Sequence, residues 1–278
     1  MTILAAVILG LIQAVTEFLP VSSSGHLALA QQLFSSVFDL KKVPISFDVM
    51  VHFATLIVTA LYVREDIIRI LKGIVSGDQW SRSIALAVIV ASVPAGIIGL
   101  TLKDLIEESF HSLSVVACGL ILTSIFLETA QRKKTAESAG AELDKNSGFD
   151  TDWEPPSIFQ ALLIGLAQAV SISPGVSRSG STICTALILG MKARSAVHFS
   201  FLMSLPVIFG ATLLQTRELM ALPSNEIPAY LAAFCATIAG GWFSIKFLVA
   251  AVRNINLRPF AVYTLTLGII CLIINGLT

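Results

Sequence analysis

The chain has 278 residues, of which 55% are hydrophobic and only 13% are charged, and its formal net charge is +0. About 25% of the residues of a soluble domain are charged, so this composition excludes an ordinary soluble protein. The balanced charge gives no reason to expect a nucleic-acid partner. Apolar runs of about 20 residues recur along the chain, which predicts an all-α, polytopic membrane protein.

The first half of the chain begins with two short apolar stretches, which Pro20 and three serines separate. Neither comfortably spans a bilayer, which takes about 20 apolar residues, so residues 2–37 are predicted to form a re-entrant helix pair. Irregular backbone at membrane depth is tolerated where protein or a wet cavity surrounds it. Full spans are predicted at residues 45–63, 83–102 and 113–130, with a basic amphipathic connection at 64–82.

A polar linker at residues 131–156 divides the chain. The second half, residues 157–278, repeats the plan of the first half, residues 1–130. A second re-entrant pair is predicted at 157–190, followed by spans at 196–214, 229–251 and 259–276. The prediction is one integral-membrane domain of two repeats, with six full transmembrane helices and two re-entrant pairs.

The two halves carry related copies of one segment. Residues 10–25 read GLIQAVTEFLPVSSSG and residues 165–180 read GLAQAVSISPGVSRSG, and they align without a gap. The copies differ in chemistry: the first offers a carboxylate and an imidazole, and the second a guanidinium. These groups belong to Glu17, His26 and Arg178.

The lysines and arginines indicate how the chain is inserted. Most of the 18 fall in residues 64–82, 131–156, 191–195 and 252–258, which the positive-inside rule places in the cytoplasm. The first re-entrant pair then enters from the outside and the second from the cytoplasm. Such inverted repeats are typical of secondary transporters, whose sites lie near the midplane between the repeats. We therefore predict that the two serine-rich turns converge inside the membrane and form one phosphate site.

The second helix of each pair begins at a serine-rich turn. A helix N-terminus presents unpaired N–H groups and a positive dipole end, so it binds anions. Arg178 can hold phosphate oxygens through two parallel hydrogen bonds, and an arginine at mid-membrane indicates function. Serines also cap helices without any ligand, and that alternative stays open. The predicted phosphate-binding residues are Ser22, Ser24, Gly25, Ser177, Arg178, Ser179, Gly180 and Thr182.

Candidate catalytic groups lie around the first turn. Gln13 and Glu17 are four residues apart and share one helix face. Glu17 can act as a general base or a metal ligand. His26 can shuttle protons or relay to a serine nucleophile, for which Ser23 is the best candidate. His26 itself and an activated water are the alternative nucleophiles. The alternative is a structural ion pair between Glu17 and Arg178, with His26 hydrogen-bonded nearby.

Asp48 and His52 are also four residues apart, within the span predicted at 45–63. They can complete a metal site with Gln13 and Glu17, or hydrogen-bond to the ligands of such a site and orient them. A plain hydrogen bond between Asp48 and His52 is the alternative.

Four segments resemble the undecaprenyl pyrophosphate phosphatase, or bacitracin-resistance, family of bacterial inner membranes. They are QAVTEFLPVSSSGH (13–26), FDVMVHF (47–53), PGVSRSGSTI (174–183) and FSFLMSLP (199–206). The resemblance covers nearly the whole chain, and the motifs occur in the family's order.

The resemblance implies that Glu17, Ser23, His26 and Arg178 are functional residues. The family's first motif position holds Glu or Gln, and the residue here is Gln13. That choice removes one carboxylate from any site that needs two acids to hold a metal. The family's preference for Mg²⁺ or Ca²⁺ nevertheless implies a divalent cation, with no organic cofactor.

The resemblance also implies a reaction and a location. The reaction is hydrolysis of undecaprenyl pyrophosphate to undecaprenyl phosphate and inorganic phosphate, which recycles the lipid carrier for cell-wall synthesis. The location is the bacterial inner membrane, with the site facing the periplasm. Bacitracin would inhibit indirectly by sequestering the polyprenyl pyrophosphate substrate, and a homodimer is a further expectation.

A transporter or flippase for an anionic lipid phosphate is the rival hypothesis, because inverted repeats commonly serve alternating access. A flippase must bind the anion but does not need a Glu, a His and a Ser together beside an Arg. A structural membrane scaffold is a third hypothesis. The charged Glu17 and Arg178 within apolar segments argue against it.

Overall fold

The computed structural model describes residues 1–37, 44–110, 112–139, 153–217, 222–254 and 256–277, and in these residues the chain is helical with no strand. A 3-10 turn at Ser224–Glu226 precedes the eleventh helix. In chain order the helices are α1 (Ile3–Phe18), α2 (Ser23–Val37), α3 (Ile45–Tyr62), α4 (Arg64–Ser76), α5 (Gln79–Thr101), α6 (Lys103–Ser109), α7 (Leu113–Ala139), α8 (Ile158–Val170), α9 (Arg178–Ile188), α10 (Ala193–Leu214), α11 (Ile227–Arg253) and α12 (Arg258–Leu277).

Six of these helices, namely α3, α5, α7, α10, α11 and α12, are long and apolar enough to cross a membrane. The prediction of an all-α, polytopic membrane protein is therefore confirmed. The other two apolar helices, α1 and α8, are shorter. The re-entrant insertion of the short pairs and the inverted topology stay predictions, because helix packing alone does not define the membrane plane.

The predicted linker is partly helical. Helix α7 continues to Ala139, past the predicted end of its span at residue 130. In this extension Arg132 Nε donates to Glu128 Oε1 over 2.8 Å, one turn away, a pairing that supports an exposed polar helix. The rest of the linker up to residue 152 lies outside the described residues.

Local sequence signals set the ends of the short helices. Thr2 caps α1 by accepting a hydrogen bond from the Ala5 N–H over 3.3 Å. Leu19 is extended and ends α1, as expected for the residue before a proline. Helix α8 begins at a capping box in which Ser157 and Gln160 satisfy each other's backbone N–H groups.

The two halves interlock through their short helices. Helix α1 packs along α11, and α8 packs along α5. Gly10 and Gly165 occupy equivalent positions in the two copies of the repeated segment. A Cβ on Gly10 would lie 2.8 Å from Ala233 O, and one on Gly165 would lie 2.5 Å from Ala91 O. Each glycine thus lets a short helix of one half lie against a long helix of the other.

A buried core continues up to the turns that follow α1 and α8. Phe18 and Phe201 are fully buried, and their rings meet edge to face with centroids 6.2 Å apart. Such pairs contribute about 0.5–1.5 kcal/mol beyond the burial of their area. Because Phe18 follows Glu17 directly, this packing restrains the end of α1.

A polar aromatic cluster attaches the end of the linker to the bundle. Trp153 Nε1 donates to Asp66 Oδ1 on α4 over 2.8 Å, and Trp80 Nε1 on α5 donates to Trp153 O over 3.0 Å. His198 Nδ1 on α10 lies 2.6 Å from Asp66 Oδ2. The cluster therefore joins α4, α5, α10 and the residue that leads into α8.

Candidate active site

The two serine-rich turns are in contact with each other. Ser24 Oγ accepts a hydrogen bond from the Gly175 N–H over 3.4 Å. A Cβ on Gly25 would lie 3.3 Å from Gly175 Cα, and one on Gly180 would lie 3.3 Å from Pro20 Cβ. The starts of α2 and α9 therefore meet at one place, although the chain separates them by roughly half its length.

The second turn is fixed by backbone geometry and by α7. Gly175 has a φ of +86°, a region that L side chains rarely adopt, and a Cβ there would clash with Val116 O. Thr123 Oγ1 donates to Gly175 O over 3.0 Å and accepts from the Ser177 N–H over 2.8 Å. Ser177 caps α9 by accepting from the Gly180 N–H over 3.0 Å.

The first turn contains a strained residue. Ser22 has a φ of +73° and is the one non-glycine residue with positive φ in the described part of the chain. Its hydroxyl accepts from the Gly25 N–H over 3.3 Å and lies 3.2 Å from Ser24 Oγ. Such conformations cost about 1–3 kcal/mol and are concentrated at functional sites.

Glu17 is the centre of the polar contacts. It is 8% exposed, and its Oε1 accepts from Arg178 Nη2 over 2.6 Å. Its Oε2 accepts from Ser23 Oγ over 2.6 Å and from Gln13 Nε2 over 3.1 Å, while His52 Nε2 lies 3.9 Å away. A carboxylate in contact with a hydroxyl and a guanidinium can accept a proton from the one while paired with the other.

The pairing with Glu17 engages only one of the two terminal nitrogens of Arg178. Its Nη1 is buried and has no hydrogen-bond partner among the described residues, and the side chain is 15% exposed. Thr182 Oγ1 donates to the Arg178 carbonyl over 2.8 Å. One arm of the guanidinium therefore holds Glu17, and the other is available to an anion.

Several predicted phosphate-binding hydroxyls are engaged inside the protein. Ser179 Oγ donates to Leu19 O over 3.3 Å, and Thr182 Oγ1 lies 2.6 Å from Ser200 Oγ. Ser177 and Ser22 make the capping contacts described above. These hydroxyls thus help to hold the turns in place. The charged or hydroxyl-bearing side chains that donate a hydrogen bond to Glu17 are those of Arg178 and Ser23.

His26 makes its contacts away from Glu17. Its Nδ1 lies 2.7 Å from Ser22 O, and its Nε2 lies 2.6 Å from the hydroxyl of Tyr263 on α12. Tyr263 and Thr123 are residues that sequence reasoning missed. Each lies in a long apolar helix that carries other polar residues as well, such as Ser124 and Thr264, and no spacing within its own segment relates it to the turns.

Asp48 and His52 do not share a side-chain hydrogen bond in the described contacts. His52 Nδ1 lies 2.7 Å from the backbone O of Asp48, and Asp48 Oδ1 is buried without a partner among the described residues. His52 Nε2 faces Glu17. The pair therefore borders the Glu17 centre through the imidazole and not through the carboxylate.

The protein groups do not by themselves fit a divalent cation. Among the described residues no three or more His, Cys, Asp or Glu side chains gather as a metal site. Both oxygens of Glu17 are engaged, one of them by the positive Arg178. The buried Oε1 of Gln13 has no partner among the described residues, but one such oxygen beside Glu17 is not enough, because Mg²⁺ and Ca²⁺ need several oxygen ligands.

Fold and site together define a polytopic α-helical membrane protein in which two related turns meet at a partly buried Glu–Arg–Ser centre. The family model described as bacitracin resistance protein BacA matches residues 6–270, and the chain belongs to this family. Proteins named undecaprenyl-diphosphatase are similar over nearly their whole length. The one from Syntrophotalea carbinolica is 38% identical over 96% of this chain and 97% of its own. The one from Carboxydothermus hydrogenoformans is 35% identical over 98% and 97%.

Proposed function

We propose that this protein hydrolyses undecaprenyl pyrophosphate to undecaprenyl phosphate and inorganic phosphate. Membership of the BacA family and the names of the relatives support the reaction. The observation that carries the proposal is that Glu17 lies 2.6 Å from both Ser23 and Arg178. A base, a nucleophile and an anion-binding group thus meet in one place.

The diphosphate binds where the starts of α2 and α9 meet. Arg178 turns its unpartnered Nη1 to a phosphate oxygen, and the two helix N-termini add a favourable field for the negative charge. The isoprenoid tail stays in the bilayer, which suits a phosphate site built within a membrane protein. Pairing Arg178 with the substrate weakens its hold on Glu17, because both anions compete for one guanidinium.

Glu17, now held less tightly by Arg178, acts as a general base on Ser23. The Ser23 Oγ attacks the terminal phosphorus while its proton passes to Glu17 Oε2, over the 2.6 Å contact already in place. The bond between that phosphorus and the bridging oxygen breaks, and undecaprenyl phosphate leaves with the electron pair. Arg178 stabilises the charge that develops on the transferred phosphoryl group.

Water completes the reaction. A water oxygen bonds to the phosphorus of the phosphoserine as the Ser23 Oγ–P bond breaks. One hydrogen of that water ends on Ser23 Oγ, the other stays on the released phosphate, and Glu17 loses its proton to the phosphate or to solvent.

This arrangement favours a phosphatase over a flippase for the same lipid. A flippase needs Arg178 and the helix N-termini to bind the anion. It does not need a hydroxyl hydrogen-bonded to a carboxylate that also holds the anion-binding arginine. Glu17 with Ser23 is therefore the feature that separates the two functions.

A divalent cation, Mg²⁺ or Ca²⁺, would bind together with the substrate diphosphate. Mg²⁺ commonly binds through substrate phosphates and one or two carboxylates, whereas the described side chains form no cage for it. The cation would therefore arrive on the diphosphate and neutralise part of its charge.

The chain is a multi-pass membrane protein, and we place it in the bacterial inner membrane with the site open to the periplasm. Bacitracin would then act indirectly, by sequestering the lipid diphosphate before it reaches the site. We also propose that the protein forms a homodimer. The mass of the purified protein in detergent would test this.

The test is phosphate release from a polyprenyl pyrophosphate by the purified protein in detergent. We expect release by the wild type and a loss of about 1,000-fold or more in Glu17→Ala, in line with the cost of removing a catalytic acid or base. EDTA should slow the wild type, and added Mg²⁺ or Ca²⁺ should restore it. No release by the folded wild type would exclude the phosphatase, and lipid movement in liposomes would then test the flippase.

A further inference from the structure

His26 connects the first turn to α12. One ring nitrogen, Nδ1, lies 2.7 Å from the carbonyl oxygen of Ser22. The other, Nε2, lies 2.6 Å from the Tyr263 hydroxyl, and the two rings are stacked at 17° with centroids 5.6 Å apart. Both polar atoms of the imidazole are therefore engaged within the protein.

These two contacts assign the tautomer of the neutral ring. A carbonyl oxygen only accepts, so Nδ1 must carry the hydrogen that it donates to Ser22 O. Nε2 then has a lone pair, and the Tyr263 hydroxyl donates to it. With Nδ1 and Nε2 both occupied, neutral His26 has no free nitrogen with which to exchange a proton with Ser23 or the substrate.

The Nδ1 of His26 contacts Ser22, which is the strained residue of the first turn. The Ser22 carbonyl accepts from the His26 ring and also from the His26 backbone N–H over 3.2 Å. Ser22 holds a φ of +73°, and it directly precedes Ser23. A shift of the Ser22 carbonyl would therefore move the Ser23 hydroxyl relative to Glu17.

The partner of His26 lies on a helix that packs along α7. Helix α7 carries Thr123, whose hydroxyl bridges Gly175 and Ser177 in the second turn. The α7–α12 pair thus holds both turns, the second directly through Thr123 and the first through Tyr263 and His26.

We propose that Tyr263 is a positioning residue of this site. Its hydroxyl fixes the tautomer and orientation of His26, and His26 clamps the Ser22 carbonyl so that Ser23 stays in contact with Glu17. His26 then serves as part of this clamp and not as a proton shuttle. The activity readout of this inference rests on the proposed phosphatase function, but its spectroscopic readout does not.

The kinetic test is Tyr263→Phe, which removes only the hydroxyl. We expect kcat to fall about tenfold, the effect of one hydrogen bond, with KM nearly unchanged because the phosphate-binding groups remain. Tyr230→Phe is the matched control. Its hydroxyl lies 2.8 Å from Ser46 Oγ between α11 and α3, so its loss should leave kcat unchanged. Equal losses in the two variants would reduce Tyr263 to a general packing role and overturn the proposal.

Two further readouts separate the clamp from a direct role. In a double-mutant cycle, adding Tyr263→Phe to His26→Ala should cost nothing more, because the tyrosine acts through the imidazole. Nitrogen-15 spectra of histidine-labelled protein should show a protonated Nδ1 and a hydrogen-bonded Nε2 for His26, and Tyr263→Phe should shift the Nε2 signal. An unchanged His26 spectrum, or additive losses, would overturn the inference. If the wild type releases no phosphate, the proposed function fails, while the spectra still decide the Tyr263–His26 contact.

Discussion

Arg178 and Glu17 form a buried ion pair with atoms left over for a ligand. Removing one partner of such a pair leaves an uncompensated buried charge, which costs about 3–5 kcal/mol. A purely structural pair would have its remaining hydrogen-bonding atoms satisfied, whereas Arg178 Nη1 is buried without a partner among the described residues. This unpartnered nitrogen supports the proposal that Arg178 exchanges partners between Glu17 and a substrate anion.

At the residue scale, Arg178→Lys keeps the charge but loses the planar fork that holds two oxygens at once. We expect kcat to fall about 100-fold or more, the scale seen when one donor to a developing negative charge is lost. Phosphate release by the purified variant measures it. Arg132→Lys is the control, since that side chain is 78% exposed on α7, and should retain wild-type activity. Near wild-type kcat in Arg178→Lys would show that one positive charge suffices.

At the scale of elements, the turns are held by backbone conformation as much as by side chains. Gly175 and Gly190 share a φ of +86°, so an alanine at either position meets the same conformational strain. They differ in surroundings: a Cβ on Gly175 would clash with Val116 O and crowd Leu120 N, whereas nothing lies within 4 Å of one on Gly190. Alanine substitutions at the two positions therefore separate the cost of backbone strain from the cost of steric crowding.

We expect Gly190→Ala to lower the free energy of unfolding by about 1 kcal/mol, the cost of the left-handed conformation. Gly175→Ala should lower it by at least about 1–3 kcal/mol more, as overpacking does, and should also reduce phosphate release because the turn moves. Thermal unfolding followed by tryptophan fluorescence compares the two. Equal shifts in the melting temperature would show that the contact with α7 does not restrain the second turn.

For the whole molecule, the polar aromatic cluster around Asp66 joins distant parts of the chain. Burial by itself raises the pKa of Asp66, but hydrogen bonds from His198 and Trp153 and the nearby Arg194 charge bring it below its ordinary value of 3.8. A carboxyl with a lowered pKa stabilises the folded state above its ordinary pKa. That stabilisation is lost as the pH falls through the lower folded value.

Asp66→Asn should therefore lower the melting temperature at pH 7, and the gap to the wild type should narrow below about pH 4. Melting curves from pH 7 down to pH 3 measure it. Asp104→Asn, which changes an exposed carboxyl on α6, is the matched control and should produce no gap at pH 7. A gap that stays constant over the whole pH range would contradict the electrostatic role of Asp66.

Topology is also a property of the whole molecule, and labelling tests it. Lys72 on α4 is predicted to be cytoplasmic and Arg217, after α10, to be outside, and both are exposed. In a variant whose four cysteines are replaced, Arg217→Cys should react with a membrane-impermeant maleimide in intact cells. Lys72→Cys should react only after the membrane is opened. The reverse result would invert the predicted orientation. Labelling of both in intact cells would contradict the three full spans predicted between them.

The sequence by itself determined the class of the fold and the grouping of its polar residues. Hydrophobic runs near the thickness of a bilayer predicted the six long helices, because burial in lipid depends on length and composition alone. The repeated segment predicted a serine-rich turn in each half, and helical spacing placed Gln13 beside Glu17. These are properties of residues close together in the chain, which periodicity can show.

Only the tertiary structure decided which groups meet. Glu17 pairs with Arg178 because the two halves pack together. Whether the two side chains meet depends on the positions of α1 and α9 in the bundle. Thr123 and Tyr263 carry no local signal, because their partners in the turns are far away in the chain. The hydroxyls of Ser177, Ser179 and Thr182 match an anion site by pattern, and their phosphate contacts stay a prediction. Their partners within the protein are known only from the tertiary structure, because buried polar groups take whichever partner the packing brings near.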